Sequence, residues 1–223
     1  MGIFSLNLKG IPYTAVEITM PEVESTAKSI GAAPTMNIMD GSPKYTVPII
    51  HDSTTGKVVS DSFRIAEYLD ETYPDTPRII PAGTRTLQSS FCTLVFTSFA
   101  PLLPIIRPVT VANHLPPEVG EALKKAFGEG AVKSTLTAEE EAEVWKKVVQ
   151  GFRLIAQGYE SSTDSPFVMG GAEPTFADIF MTAFLWWIQL ALGDTEGWKD
   201  ILALGGGKIG RLFEETLASC AKK

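Results

Sequence analysis

The clearest alternation of apolar and polar positions lies in residues 45–69. Residues 45–50 and 57–59 are β-branched or apolar, whereas the intervening residues 51–56 are turn formers. This order predicts a β-hairpin with a longer loop. Pro48 interrupts the first strand, and proline is accepted only at the start or the open edge of a strand, so Pro48 marks a special backbone position.

A helix is predicted directly after the second strand. From Phe63 to Leu69 the apolar residues recur at helical spacing and alternate with charged residues such as Arg64 and Glu67. Ser60 or Asp61 before this segment is a natural N-cap. The pattern therefore predicts strand, turn, strand and helix in immediate succession.

Three more elements precede the hairpin. A helix ends at Gly10, the β-rich run 11–18 predicts a strand, and a helix over Glu22–Ile30 closes at Gly31.

The predicted domain boundary follows the helix that begins near residue 62. Residues 71–83 contain three prolines and one glycine, which stop regular structure. We therefore predict one domain at residues 1–74 and a second at residues 84–223.

The second domain has helical periodicity to its end. A long helix is predicted from Thr84 or Thr86, and one face of it carries Leu87, Phe91, Leu94, Val95 and Phe99. Capping boxes at Thr137 and Thr175 predict a surface helix that runs toward Glu160 and an apolar helix that ends at Leu192.

A membrane span is not predicted for the apolar stretch 91–112. Pro101, Pro104, Pro108 and Arg107 lie inside it, and each would be costly in the middle of a span. A broken helix is the better interpretation.

Composition narrows the classes of function. The 223 residues include 19 basic and 26 acidic side chains, and the net charge of −7 argues against a nucleic-acid partner or an anionic membrane surface. The two cysteines, Cys92 and Cys220, lie far apart, and no secretory leader pattern opens the chain. We expect a reducing, cytoplasmic location, and no spacing typical of metal ligands appears.

The order of segments in 45–69 resembles that of the glutathione transferases. The stretches Leu-Asn-Leu-Lys-Gly-Ile-Pro-Tyr and Asp-Ser-Phe-Arg-Ile-Ala-Glu-Tyr-Leu are most similar to the fungal serine-type, etherase-like members. The resemblance implies an α/β plus all-α fold, in which an N-terminal thioredoxin-like domain precedes an all-helical C-terminal domain. In that family the first strand and the catalytic serine come before the helix that ends here at Gly10. The first strand is therefore missing from this sequence, and the catalytic residue is unknown.

The resemblance also implies a site for glutathione as co-substrate. The family's Val-Pro peptide is cis, so we expect a cis Val47–Pro48 bond, with the Val47 backbone pairing with the cysteinyl part of glutathione. Asp61 and Ser62 match the acidic-Ser motif that holds the γ-glutamyl end, and a helix N-terminus suits its carboxylate. Taken singly, an edge-strand proline and an ordinary helix cap explain either dipeptide. The spacing of the two together favours the site.

A pocket for a small hydrophobic electrophile is implied in the second domain. Its residues would be Phe91, Phe99, Leu102 and Ile105, although core packing is an equal explanation for each of them. The resemblance further implies a homodimer.

The implied function is that of a detoxifying glutathione transferase or glutathione-dependent etherase acting on hydrophobic, aromatic electrophiles. The alternative is a non-catalytic member that binds glutathione or hydrophobic ligands. Ser5 is the first hydroxyl of the chain, but a serine inside a helix usually faces solvent or bonds back to a carbonyl, so we do not expect it to replace the catalytic serine. Without the first strand, segments 12–18 and 45–50 should flank a gap or pair abnormally, and we expect the chain as given to be poorly stable and weakly active.

Overall fold

The computed structural model describes residues 1–37, 41–158 and 164–221, with the backbone alone at residues 126 and 127. The chain forms two compact units, Met1–Arg85 with the chain end from Cys220, and Thr86–Ser219. The first unit combines helices with short hairpins, and the regular elements described in the second are all helical. This confirms the predicted α/β plus all-α class. The domain limits 1–74 and 84–223 stay predictions.

The first unit contains three α-helices and four strands among its described residues. They are α1 (Gly2–Lys9), α2 (Val23–Ser29), α3 (Ser62–Thr72), β1 (Met36–Asn37), β2 (Pro43–Lys44), β3 (Ile49–Asp52) and β4 (Lys57–Ser60). The predicted helix end at Gly10 is confirmed, since Gly10 has φ 65° and its N–H bonds back to the last turn.

The predicted hairpin is confirmed, but its first strand is shorter than predicted. β3 begins only at Ile49 and pairs antiparallel with β4, with Ile49 opposite Ser60 and Asp52 opposite Lys57. β1 and β2 form a second, very short hairpin that the sequence did not predict.

The prediction of a strand over residues 11–18 is wrong. This segment has no regular structure, and its Val16 is 78% exposed. A strand needs a neighbouring strand to satisfy its backbone groups. In the described ranges β3 pairs only with β4, so the other edge of β3 is open, as expected. No second strand lies across the gap from that edge in these ranges.

The core of the first unit forms between α1, α3 and the β3–β4 hairpin. Leu6, Ile65, Tyr68 and Leu69 make a buried cluster, against which Ile50 and Val59 of the hairpin pack. This packing sets the hairpin against one face of α3.

A buried ion pair joins the ends of α1 and α3. The Lys9 ammonium lies 2.7 Å from Asp70 Oδ1 and donates to Pro77 O at 2.9 Å. The Asp70 carboxylate also accepts from the backbone N–H groups of Ile79 and Ile80. The proline-rich linker is therefore held in place by both members of the ion pair.

The second unit is built from seven α-helices within the described ranges. They are α4 (Arg85–Phe99), α5 (Leu103–His114), α6 (Pro117–Phe127), α7 (Ala138–Gln157), α8 (Phe176–Leu192), α9 (Glu196–Ala203) and α10 (Lys208–Ser219). Both predicted capping boxes are present, at Thr137 for α7 and at Thr175 for α8. The predicted end of the first of these helices, near Glu160, lies outside the described residues.

The buried face of α4 is rotated by one position along the sequence from the predicted face, and only Val95 and Phe99 belong to both. Leu87 and Leu94 are 64% and 40% exposed, and Phe91 is partly exposed. The buried positions are Gln88, Cys92, Val95, Ser98 and Phe99. A polar residue is buried here because Gln88 Oε1 accepts from Ala177 N at 3.0 Å, at the start of α8.

The helical run Arg85–His114 is the one described segment long and apolar enough to cross a membrane by length and composition. A core helix of a soluble protein passes the same test, so one such run is weak evidence of a membrane span. The run is broken as predicted, because a 3₁₀ turn over Ala100–Leu102 separates α4 from α5.

Candidate functional site

The N-terminus of α3 leaves one donor and one acceptor for a ligand. Asp61 is the N-cap, and its Oδ1 accepts from the N–H groups of Phe63 at 3.0 Å and Arg64 at 3.1 Å. Asp61 O accepts from Ile65 N at 2.9 Å. Within the described chain, the Ser62 N–H and the Asp61 Oδ2 have no hydrogen-bond partner.

Asp61 also has an unusual backbone conformation, with φ 79° and ψ 128°. Aspartate enters the positive-φ region more readily than most residues, but such a backbone still costs about 1–3 kcal/mol. Strain of this kind persists where the surrounding structure enforces it, and it concentrates at functional sites. The sequence predicted a cap at Ser60 or Asp61, and the structure places it at Asp61; the sequence did not predict this conformation.

The Val47–Pro48 peptide is cis, which confirms the expectation from the sequence. Val47 is 51% exposed, and its backbone N–H and C=O make no hydrogen bond to other described residues. Because Ile49 pairs with Ser60, the residues just before β3 and just after β4 lie side by side at the open end of the hairpin. The structure thus brings together the four residues predicted from the sequence to bind glutathione, Val47, Pro48, Asp61 and Ser62.

The first turn of α1 lies at the same place, which sequence reasoning missed. A Cβ added at Gly2 would lie 3.1 Å from Pro48 Cβ, a tight contact, so the first turn of α1 lies close to Pro48. The Ser62 hydroxyl donates to Met1 Sδ at 3.8 Å, a long and weak contact. The sequence contains no signal for these contacts, because residues about 46 and 61 positions apart meet only through the fold.

Ser5 does not behave as expected for a serine inside a helix. Its side chain is fully buried, and its Oγ has no hydrogen-bond partner among the described residues. It neither faces solvent nor bonds back to a carbonyl. A hydroxyl without exposed surface does not contact a ligand in this conformation.

The two cysteines are not candidate nucleophiles. Burial, with a smaller effect of the nearby Asp178 carboxylate, raises the pKa of the Cys92 thiol to about 12. Cys220 is 2% exposed. A thiol must ionise and reach solvent or ligand to react, so the burial of both argues against a role for either.

The predicted pocket residues lie mainly in the core of the helical unit. Phe99 and Leu102 have no exposed surface, Ile105 is 7% exposed, and Phe91 is partly exposed. Phe99 packs against Phe184 with ring centroids 4.5 Å apart. The role of these four residues in a pocket stays a prediction.

Two surface clefts of this unit, of about 320 and 290 Å³, are lined by other residues, between 136 and 147 and between 111 and 132. In the described ranges no group of three or more His, Cys, Asp or Glu side chains could hold a metal ion.

Comparison with known protein families gives two matches that together span most of the chain. Residues 3–72 match the glutathione S-transferase N-terminal domain, and residues 86–218 match the glutathione S-transferase C-terminal domain. The sequence is 28% identical over 234 residues to the glutathione S-transferase-like protein ustS of Aspergillus flavus, covering 95% of this chain and 80% of that protein.

Solved structures of fungal proteins are also similar to this chain. A glutathione S-transferase of Ceriporiopsis subvermispora, crystallised in complex with glutathione, is 34% identical with a TM-score of 0.86, over 98% of this chain and 88% of that one. The glutathione transferase GSTFuA3 of Phanerochaete chrysosporium is 32% identical with a TM-score of 0.85, over 97% and 87% of the two chains.

Proposed function

Because this chain belongs to the glutathione S-transferase family, we propose that it binds glutathione at the open end of the β3–β4 hairpin and conjugates it, through its sulfur, to small hydrophobic, aromatic electrophiles. Family membership makes the first unit thioredoxin-like and glutathione the co-substrate. The finer assignments, namely the site residues, the electrophile and a homodimer in the cytoplasm, are the proposal.

The observation that carries the proposal is that unpaired backbone groups of Val47 and Ser62 lie next to each other. Val47 offers an N–H and a C=O in an exposed segment, as an added strand would need. Next to it, the Ser62 N–H and hydroxyl suit the γ-glutamyl carboxylate, and Asp61 Oδ2 suits its ammonium. The donors, the acceptor and their order fit a dipeptide-like ligand with a charged end.

The thiol of bound glutathione must ionise before it can attack. A thiol with an ordinary pKa of about 8.5 is mostly protonated at neutral pH. The first turn of α1 lies against Pro48, and the N–H groups of a helix start stabilise a nearby thiolate. The thiolate then forms a C–S bond to the electrophilic carbon, the leaving group departs with the bonding electron pair, and the thiol proton passes to solvent. In an etherase reaction the leaving group is a phenolate.

The proposed electrophile pocket uses Phe91 as its contact residue. Phe91 keeps exposed surface in the helical unit, whereas Phe99, Leu102 and Ile105 are buried in its core. An apolar lining of this kind suits an aromatic compound.

A second function, binding without catalysis, is favoured by one observation. Ser5 Oγ is buried, so the hydroxyl in α1 is out of reach of a ligand. If helix dipoles alone do not ionise the thiol, the chain binds glutathione or hydrophobic ligands and does not turn them over.

Retention on glutathione-agarose together with a conjugation assay on a chlorinated aromatic acceptor separates the two. Retention with turnover above the uncatalysed rate supports the transferase. Retention without turnover supports the non-catalytic binder. No retention and no measurable affinity for free glutathione by calorimetry contradict the site itself.

A further inference from the structure

Asp52, at the turn end of the β3–β4 hairpin, accepts four hydrogen bonds. Its Oδ2 accepts from the phenols of Tyr68 at 2.6 Å and Tyr73 at 2.7 Å. Its Oδ1 accepts from the backbone N–H groups of Thr54 at 2.8 Å and Thr55 at 3.3 Å. Two tyrosines on one carboxylate oxygen make a strong, charge-assisted tie.

Neighbouring side chains extend this tie. The Thr55 hydroxyl lies 2.6 Å from the Tyr68 phenol oxygen, which accepts from it while donating to Asp52. The Lys57 ammonium lies 5.8 Å from the centre of the Tyr68 ring. The hydrogen bonds to Tyr68 and Tyr73 hold the pKa of the Asp52 carboxyl well below its ordinary value, so it is ionised at neutral pH. We define these residues, Asp52, Thr55, Tyr68 and Tyr73, as the carboxylate–tyrosine latch.

The latch and the candidate glutathione site lie at opposite ends of the same two elements. β3 and β4 run from the pair Ile49–Ser60, beside the site, to the pair Asp52–Lys57, at the latch. α3 starts at the site and carries Tyr68 in its second half, with Tyr73 as its C-cap. Hairpin and α3 are thus joined covalently at one end, through Asp61, and by the latch at the other.

Besides the latch, the hairpin is held on α3 by the packing of Ile50 and Val59 against the core cluster. A two-stranded hairpin is marginally stable by itself, and in the described ranges the outer edge of β3 has no strand partner. The joint at Asp61 is a strained backbone position. A rotation of the hairpin about this joint would move Val47 relative to Ser62.

We propose that Asp52 is a positioning residue for glutathione binding, which it serves by fixing the hairpin on α3 so that Val47 and Ser62 keep the spacing that the ligand needs. This inference rests on the proposed function, since it assumes that these two residues hold the same ligand. Asp52 does not touch the ligand. It acts through the two tyrosines.

The test uses the full chain with Asp52→Asn and with the double variant Tyr68→Phe/Tyr73→Phe. Asparagine keeps the shape of the side chain without its charge, and the phenylalanines keep both rings in place. Tyr45→Phe is the matched control, because Tyr45 lies in the same unit with its ring beneath the Lys28 ammonium at 5.6 Å and no hydrogen bond from its phenol to a described residue.

We expect each latch variant to weaken glutathione binding by about tenfold, as for loss of a hydrogen bond to a charged group. The KM for glutathione should rise by the same factor, whereas kcat at saturating glutathione and the KM for the electrophile should stay within about twofold. Amide hydrogen exchange over residues 49–60 should accelerate in the free protein. The Tyr45→Phe variant should match the wild type in every measurement.

The outcomes separate the two proposals. If the wild type binds glutathione and the latch variants bind it as tightly, the positioning role is overturned and the site stands. A fall in kcat together with a rise in both KM values by similar factors would reveal a general structural defect. That result would also overturn the positioning role. If the wild type does not bind glutathione, the site and the positioning role fall together, although accelerated exchange would still demonstrate the latch.

Discussion

Two adjacent residues at the start of α3 combine the helix cap with the proposed ligand contacts. Asp61 Oδ1 is occupied by the cap, while Ser62 keeps its N–H and makes only a long contact through its hydroxyl. The cap and the ligand contacts are therefore compatible, which the sequence could not decide.

Ser62→Ala should weaken glutathione binding by about 1–3 kcal/mol, because a charged ligand group loses a hydrogen bond. The stability of the protein should hardly change, since Asp61 supplies the cap. Calorimetric titration with glutathione measures the first effect and thermal unfolding the second. Ser53→Ala, an exposed site in the hairpin turn, is the control. An affinity equal to that of wild type would reduce Asp61 and Ser62 to a helix cap.

Ser5→Ala tests the hydroxyl in α1. Since Ser5 Oγ is buried without a hydrogen-bond partner among the described residues, its removal should leave turnover unchanged and should stabilise the fold by up to about 1 kcal/mol. Urea unfolding and the conjugation rate measure both. A large loss of turnover without loss of stability would instead make Ser5 the group that activates the thiol.

At the scale of elements, the latch makes the hairpin sensitive to acid. The pKa of Asp52 is lowered in the folded state by the phenol of Tyr68 foremost, so its contribution to stability is present above the unfolded pKa of about 3.9 and is lost as pH falls toward the folded pKa. The pKa of the Tyr73 phenol is raised by its own hydrogen bond to Asp52, so Tyr73 remains a donor throughout this range.

Urea unfolding between pH 3 and pH 7 checks this. The difference in free energy of unfolding between wild type and Asp52→Asn should be largest above about pH 5 and should shrink below about pH 4. A difference that stays constant across this range would mean that the charge of Asp52 contributes nothing to the latch.

The ion pair between α1 and α3 is the second tie of the first unit. Lys9→Met should lower the free energy of unfolding by about 3–5 kcal/mol, because it leaves the buried Asp70 carboxylate without its counter-charge. Lys28→Met removes the exposed, solvent-screened pair with Glu24 and should lower the free energy of unfolding much less. Chemical unfolding compares the two. Similar costs for both variants would contradict the importance assigned to burial.

At the scale of the whole molecule, the apolar strip on α4 bears on assembly. Leu87 and Leu94, seven residues apart, lie on the same helix face and are exposed. An apolar strip of this kind is typical of an interaction surface. It therefore supports the proposed homodimer.

We expect sedimentation at twice the chain mass of 24.1 kDa. Leu87→Glu with Leu94→Glu should shift the protein to the monomer, whereas Ser89→Glu with Thr93→Glu, on another exposed face of α4, should not. A wild type that sediments as a monomer at micromolar concentration would refute the homodimer.

The sequence by itself determined the features that depend on near neighbours. Helix caps at Thr137 and Thr175 were predicted correctly, and that of α3 to within one residue, because a cap satisfies N–H groups only two or three residues away. The hairpin and the glycine at the end of α1 were predictable for the same reason. The resemblance to a family added the cis bond at Pro48 and the proposal that two distant dipeptides form one site.

The tertiary structure alone decided the features that need a distant partner. Residues 11–18 have the composition of a strand, but without a neighbouring strand their backbone stays irregular. The buried face of α4 is set by what packs on it, so the polar Gln88 is buried and Leu87 is exposed. The approach of Gly2 to Pro48 and the bonds of Tyr68 and Tyr73 to Asp52 join residues far apart in sequence, and neither periodicity nor propensity carries information about such contacts.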